Sequence, residues 1–378
     1  MKIKTKFKRL WFYFFISKII YMFSAIFVYS KFSPLVDTHS YLRGELFEGF
    51  SVDDFHLMLS DSTQMIGTIA YNLSLILGPV LANAPFLILS FYGIYYAVSR
   101  IDLTNKQLTI LLILLSFPNF GIYSSIASKE AIAVFFMGVI LGFIIDIIKK
   151  RHVGNYLLIV IAFYLCILFK PQYMIGISAL LIYLFLSRKL RLKGYGKLFL
   201  LVLFFIVSFG LLYIYRYEIN AISFNIPKYF SLKSNSTREN TFWIDDFDVF
   251  KNALYGMYIA FVGPTFTEAT QKTTHLFAWI ESMIILSTFA VGSLKLYLVA
   301  IKTHKLNIYY LSIFLTVTLW ILFVHYPFGV LNPGSAIRYR ENFYGFLVIL
   351  FYFLYTETLN QYYQNLEIKN KIQDKQTV

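Results

Sequence analysis

The sequence predicts an all-α, polytopic membrane protein, and three observations carry that expectation. Residues of the set AVILMFWYC make up 58% of the 378 positions and only 14% are charged, against about 45–50% and about 25% in an ordinary soluble domain. The apolar residues gather in windows approaching the ~20 residues that cross a bilayer as a helix. Basic residues are distributed asymmetrically between alternate loops, the pattern that orients helices in a membrane. Two soluble domains, the reading suggested by length alone, would leave the apolar excess with no interior to occupy, and the same composition excludes disorder. A single integral membrane domain over residues 1–378 is expected.

Taken in order, the basic stretch Met1 to Arg9 leads into the apolar run Leu10 to Tyr29. That run is long enough to span and ends in the bulky Phe27-Val28-Tyr29 instead of a small-residue cleavage site, so it reads as an uncleaved first helix. Further spans are expected near 81–99, 107–121, 129–148, 156–169, 173–187, 197–215, 276–300, 307–326 and 343–357, about ten in all with a range of 9 to 12. Segments 63–79 and 252–264 are apolar but interrupted by polar residues or Pro, which suits amphipathic or re-entrant pieces buried against protein. The single cysteine, Cys166, lies in an apolar run, has no intramolecular partner and reads as a small buried hydrophobe.

The charge pattern fixes an expected orientation. With the N-terminus inside, the cytoplasmic segments hold 21 basic and five acidic residues, the opposite side holds 12 basic and 15 acidic, and Lys18 lies within the first helix. The overall charge of +14 is thus mainly a topology signal, with N-terminus and C-terminus both cytoplasmic. It does not indicate a nucleic-acid partner, because the basic clusters cap separate helices and form no stripe.

The polar stretches that interrupt the apolar pattern fall on the expected outer side. The loop 30–62 holds Asp37, Glu45, Glu48, Asp53, Asp54 and Asp61 with His39 and His56. Next come the turn Phe117 to Glu130, the hairpin Leu168 to Tyr173 and the long loop 216–251 with Asp245, Asp246 and Asp248. Phe261 to Phe266, leading to Glu281, and Asn332 to Asn342 complete the set. Charges at the head of a spanning helix are costly unless they face a cavity or a partner. Lys129, Lys170, Arg338 and Arg340 therefore point to a shared anionic site, an Arg pair being suited to bidentate phosphate binding. The alternative for each is snorkelling to lipid headgroups.

No H-E-x-x-H, Cys/His metal spacing, P-loop or G-x-G-x-x-G is present, so no metal or nucleotide cofactor is expected. Glycosyl transfer from a lipid diphosphate needs neither: the leaving group must be neutralised and a carboxylate must take a proton from the acceptor hydroxyl.

Several segments resemble the Wzy-like O-antigen or capsular polysaccharide polymerases and their GT-C relatives, the membrane-embedded glycosyltransferases. The resemblance rests on Pro118-Asn119-Phe120 through Ser124, Ser125, Ser128, Lys129 and Glu130, on Lys170-Pro171, on Gly263-Pro264-Thr265-Phe266 with Glu281, and on Gly334-Ser335 to Arg338-Tyr339-Arg340. These positions cover about a tenth of the chain, and the helical layout extends over the rest. The resemblance implies a periplasm-facing site in a bacterial inner membrane where undecaprenyl-diphosphate-linked oligosaccharides are joined without a metal, with membrane lipids and a chain-length regulator protein as further partners. Arg338, Arg340, Lys170 and Lys129 would hold the diphosphate, and Glu130 or Asp37 would accept the proton. His39, Tyr41, Gln172, Tyr339 and Glu281 would contact substrate, with a structural partnership to an arginine as the alternative for Glu281. Asp37 and Glu130 retain their own alternatives, a capping or solvated loop acid and a partner of Lys129. A single-sugar lipid-linked transferase or ligase, and a polysaccharide flippase, are the competing functions.

Overall fold

The computed structural model describes residues 5–33, 35–45, 54–152, 154–229, 237–303 and 307–376. Every regular element among them is helical. The chain runs through α1 (Thr5–Phe27), α2 (Val36–Arg43), α3 (Phe55–Ser60), α4 (Ser62–Leu81), α5 (Ala84–Val98), α6 (Asn105–Leu114), α7 (Pro118–Tyr123), α8 (Lys129–Ile148) and α9 (Tyr156–Phe169). It continues through α10 (Pro171–Lys189), α11 (Tyr195–Ile214), α12 (Arg216–Asn225), α13 (Asp248–Lys251), α14 (Ala253–Val262) and α15 (Phe266–Gln271). Three long helices close it: α16 (Thr273–Thr303), α17 (Ile308–Gly329) and α18 (Pro333–Gln376).

Seven helices among the described residues are long and apolar enough to cross a membrane: Phe7–Lys31, Ser62–Leu81, Lys129–Ile148, Tyr195–Ile214, Thr273–Thr303, Ile308–Gly329 and Pro333–Gln364. Six of the ten expected spans are among these seven. The expected span 173–187 forms α10, which is not one of them, and at the other three windows the reasons are local. The window 107–121 is divided, because Pro118 starts a new helix after α6 has ended at Leu114. Ten residues of α6 reach only about 15 Å. The windows at 81–99 and 156–169 form the shorter apolar helices α5 and α9. Conversely, 63–79, expected to be amphipathic or re-entrant, is a 20-residue helix, broken only at its end by Gly78 (φ 76°) and Pro79. The outer-loop acids Glu48 and Asp53 lie outside the described residues.

The centre of the bundle is α8, apolar around its whole circumference and buried along most of its length, as a helix without a polar face must be. It packs on α5, α9 and α18. The α5 contact is backbone to backbone: a Cβ on Gly138 would stand 2.3 Å from the Gly93 oxygen, and one on Gly93 would stand 2.5 Å from Phe135 Cα. Small residues at such crossings are what lets helices approach closely in a membrane.

The length of α8 separates two polar ends by about 30 Å. At its C-terminal end, Arg100 pairs with Asp146 at 2.7 Å, and Lys149 bridges Asp102 at 2.6 Å and Glu357 at 2.7 Å. At its N-terminal end stand Lys129 and Glu130, and there α2, α4 and the start of α18 converge.

Candidate functional site

The first turn of α8 is fixed by a buried polar scaffold. Ser128 caps the helix, its Oγ accepting from the Ala131 N–H at 3.0 Å while donating to the Tyr123 carbonyl at 2.7 Å. Asn83 Oδ1 accepts from the Ala127 N–H at 2.7 Å, and Thr38 Oγ1 donates to the Ala127 carbonyl at 3.0 Å. Beneath this turn Lys18, buried in α1, donates to Ser124 Oγ at 2.6 Å, the Ser124 carbonyl at 3.2 Å and Ser90 Oγ at 3.0 Å. A cation on an otherwise apolar spanning helix is thereby satisfied, and it ties α1 and α5 to the segment that delivers Lys129 and Glu130.

On that scaffold Arg338, in the second turn of α18, lies between two carboxylates. Its Nη2 is 2.7 Å from Asp37 Oδ2 and its Nε is 3.0 Å from Glu130 Oε1. Asp37 is 46% exposed at its side chain and Glu130 is 0% exposed, so one carboxylate is wetted and the other is enclosed by protein. The second carboxylate oxygen of Glu130 has no hydrogen-bond partner. A buried, unsatisfied carboxylate oxygen is costly, and its place in the wall of a cavity gives it an available role.

Two cavities meet at this triad. The smaller, about 190 Å³, is lined by Asp37, Tyr41, Lys129, Glu130, Lys170, Gln172, Tyr173, His325, Phe328, Arg338 and Tyr339. The larger, about 500 Å³, is lined among others by Tyr29, Phe32, Thr38, Asn119, Tyr123, Ser128, His275, Asn332 and Ser335, and it shares Asp37, Glu130 and Arg338 with the first. The larger is of the size that holds organic ligands.

The smaller cavity collects cations. Lys129 donates to Ser62 Oγ at 3.1 Å and Thr63 Oγ1 at 2.7 Å, so hydroxyls and not a carboxylate hold its ammonium. The side-chain ammonium of Lys170, between α9 and α10, makes no ion pair or hydrogen bond among the described residues and lies 5.0 Å from the centre of the Tyr339 ring. Burial pushes its ammonium down to about 8; Glu130 opposes that shift while Lys129 and Arg338 reinforce it. The Tyr41 hydroxyl is pushed up by burial and by the Asp37 and Glu130 carboxylates, and so stays protonated.

Arg340 does not join this set. Fully buried, it directs Nε to Glu341 Oε1 at 3.1 Å and Nη1 to the Phe261 carbonyl at 3.1 Å and Ser282 Oγ at 2.5 Å. Its Nη2 meets Glu281 Oε1 at 3.0 Å and Glu341 Oε1 at 2.9 Å. Every nitrogen of its guanidinium is engaged, and it lines neither cavity. Glu281 is likewise buried; its other oxygen accepts from the Asn119 N–H at 3.0 Å and the Asn119 side chain at 2.9 Å. This is the structural partnership to an arginine that the sequence left open, and it anchors the start of α7.

Of the residues expected from sequence, Asp37, Glu130, Lys129, Lys170, Arg338, Tyr41, Gln172 and Tyr339 come together around the smaller cavity. Arg340 and Glu281 form the buried network beside it, and His39 is exposed on α2 and lines neither cavity. Sequence reasoning missed His325 and Phe328 in the smaller cavity and the hydroxyl and amide lining of the larger one. Asn119 stood in the quoted Pro-Asn-Phe motif, and Glu341 directly follows Arg-Tyr-Arg, so both had a signal in their neighbours. His325 and Phe328 lie within an apolar helix and had none. Among the described residues no group of His, Cys, Asp or Glu is gathered as metal ligands would be. Comparison with family models, curated proteins and solved structures returns no match for this chain.

Proposed function

We propose that this membrane protein transfers a glycan from a polyprenyl diphosphate, and that it does so as a polymerase of undecaprenyl-diphosphate-linked oligosaccharides. The observation that carries the reading is the convergence of Arg338, Lys129 and Lys170 on one small cavity whose wall also contains Glu130, with an unpartnered carboxylate oxygen, and Asp37. Three cations suit a diphosphate, and a poised carboxylate suits a hydroxyl nucleophile.

The chemistry follows from those groups. The acceptor hydroxyl oxygen forms a bond to the anomeric carbon while the bond from that carbon to the diphosphate oxygen breaks. The electron pair of the broken bond stays on the diphosphate, where Arg338, Lys129 and Lys170 neutralise it. The hydroxyl proton passes to Glu130, with Asp37 as the alternative acceptor. Arg338 exchanges a carboxylate partner for the diphosphate, which leaves Glu130 free to act as a base.

The charge asymmetry of the loops supports placing this end of the bundle outside the cytoplasmic membrane of a bacterium, with both termini inside. The reading is tested by deleting the gene. A polymerase leaves surface polysaccharide of a single repeat unit, and restoration of long chains by the wild type but not by Arg338→Gln supports the site. Loss of even the first unit points to an earlier single-sugar transferase, and unchanged polysaccharide overturns the proposal.

A further inference from the structure

The two cavities differ in chemistry although they share one wall. The smaller is lined by the Lys129 and Lys170 ammonium groups and the Arg338 guanidinium, with Lys170 over the Tyr339 ring. The larger offers Thr38, Asn119, Ser128, Asn332 and Ser335 beside aromatic side chains at Tyr29 and Phe32. Of its two cations, Arg338 belongs to the shared wall, and Lys272 already interacts with another group. Hydroxyl and amide groups beside aromatic rings match a neutral polyol, which presents hydroxyls at its edge and C–H groups on its face. They do not match a second diphosphate, for which clustered cations would be required.

The wall itself gives the arrangement a direction. Asp37, Glu130 and Arg338 line both cavities. Glu130 is enclosed, one of its oxygens pairs with Arg338, and the other has no partner. The Glu130 carboxylate, with one oxygen unpartnered, thus belongs to the wall between the larger cavity and the cations that line the smaller one.

We propose that the cavities divide the substrates: the smaller takes the diphosphate of the lipid carrier, and the larger takes a neutral, hydroxyl-rich glycan whose reacting hydroxyl meets Glu130 at the shared wall. This rests on the glycosyl-transfer reading above and adds to it the location of the acceptor. Asn119 has a positioning part, because its backbone and side-chain nitrogens are held by Glu281 while the residue itself lines the acceptor cavity.

The test uses the full-length protein in lipid nanodiscs, with undecaprenyl diphosphate as the binding probe and extracted lipid-linked oligosaccharide as the substrate. Ser335→Trp on α18 and Thr274→Trp on α16 each fill the larger cavity from a different helix, and Lys170→Met removes a cation from the smaller. Both tryptophan variants are expected to bind undecaprenyl diphosphate within about twofold of wild type, which also reports their folding, and to lose at least about tenfold in transfer. Lys170→Met is expected to bind the probe at least about tenfold more weakly. The division of substrates is overturned if both tryptophan variants, at wild-type unfolding temperature, weaken probe binding as much as Lys170→Met does. It is equally overturned if both transfer at the wild-type rate. Failure of the wild type itself to bind the probe overturns the glycosyl-transfer reading, a result distinct from either.

Discussion

Arg338 and Arg340 are two residues apart, and on a helix that spacing places them on different faces. One guanidinium reaches the cavities and the other is closed in by Glu281 and Glu341. Their substitutions should accordingly fail in different ways. Removing Arg340 leaves buried carboxylates without their counter-charge, a loss of about 3–5 kcal/mol for a broken buried pair, so Arg340→Met should lower the unfolding temperature and the yield of folded protein. Arg338→Gln keeps an amide donor beside Glu130, and its other partner Asp37 is 46% exposed, so it should lower the unfolding temperature less than Arg340→Met does, yet lose transfer. Thermal unfolding in detergent, read beside transfer rate, separates the two. Lys170 gives a pH signature. Its free-state pKa is pushed down to about 8, so the cation is present below that pH and fades above it. Affinity for undecaprenyl diphosphate should fall as pH rises through about 8, and Lys170→Arg should flatten that fall, since a guanidinium stays protonated. An identical pH profile for wild type and Lys170→Arg would remove Lys170 from the anion site.

The fate of each motif was decided by where its helix begins. Composition placed the last span at 343–357, with the arginines in a loop before it, and from a loop both could have turned to one ligand. The structure starts α18 at Pro333, a residue suited to the first helical turn, and the pair is thereby split between two faces. The apolar window 107–121 conceals the opposite case, a helix end, a proline and a short second helix that carries Asn119 to Glu281. Hydropathy averages over such breaks. Lys129 and Glu130 were legible because they open an apolar helix, and the helix stayed where the pattern put it. Asn119 and Ser335 stood in motifs, but their gathering with Thr38 and His275 around the larger cavity was not legible, because the four come from separate helices and no local pattern joins them. At this scale the Gly93–Gly138 contact makes a packing prediction. A leucine side chain at Gly138 has no room against the Gly93 backbone, so Gly138→Leu should reduce folded protein more than Gly210→Leu, whose site is open. Size-exclusion of detergent extracts measures both.

Across the whole molecule, the polar groups separate into two ends of the bundle joined by the buried, apolar α8. The Arg100, Asp102, Asp146, Lys149 and Glu357 network at one end neutralises charge locally, whereas the other end keeps Lys170 free of any carboxylate among the described residues. That difference is what a binding end and a structural end should show. The number of membrane crossings was less legible than the class, since α5 and α9 are apolar but shorter than a full span. Reporter fusions at the two termini should both report cytoplasm under the proposed orientation, and opposite reports would reverse or break it. The most direct measure of the central claim is the length distribution of surface polysaccharide in a deletion strain complemented by Glu130→Gln, at membrane levels matched to wild type. Loss of a general base costs about 10²–10⁴ in rate, so chains should collapse to a single repeat unit. Chains of wild-type length from that strain would contradict the account.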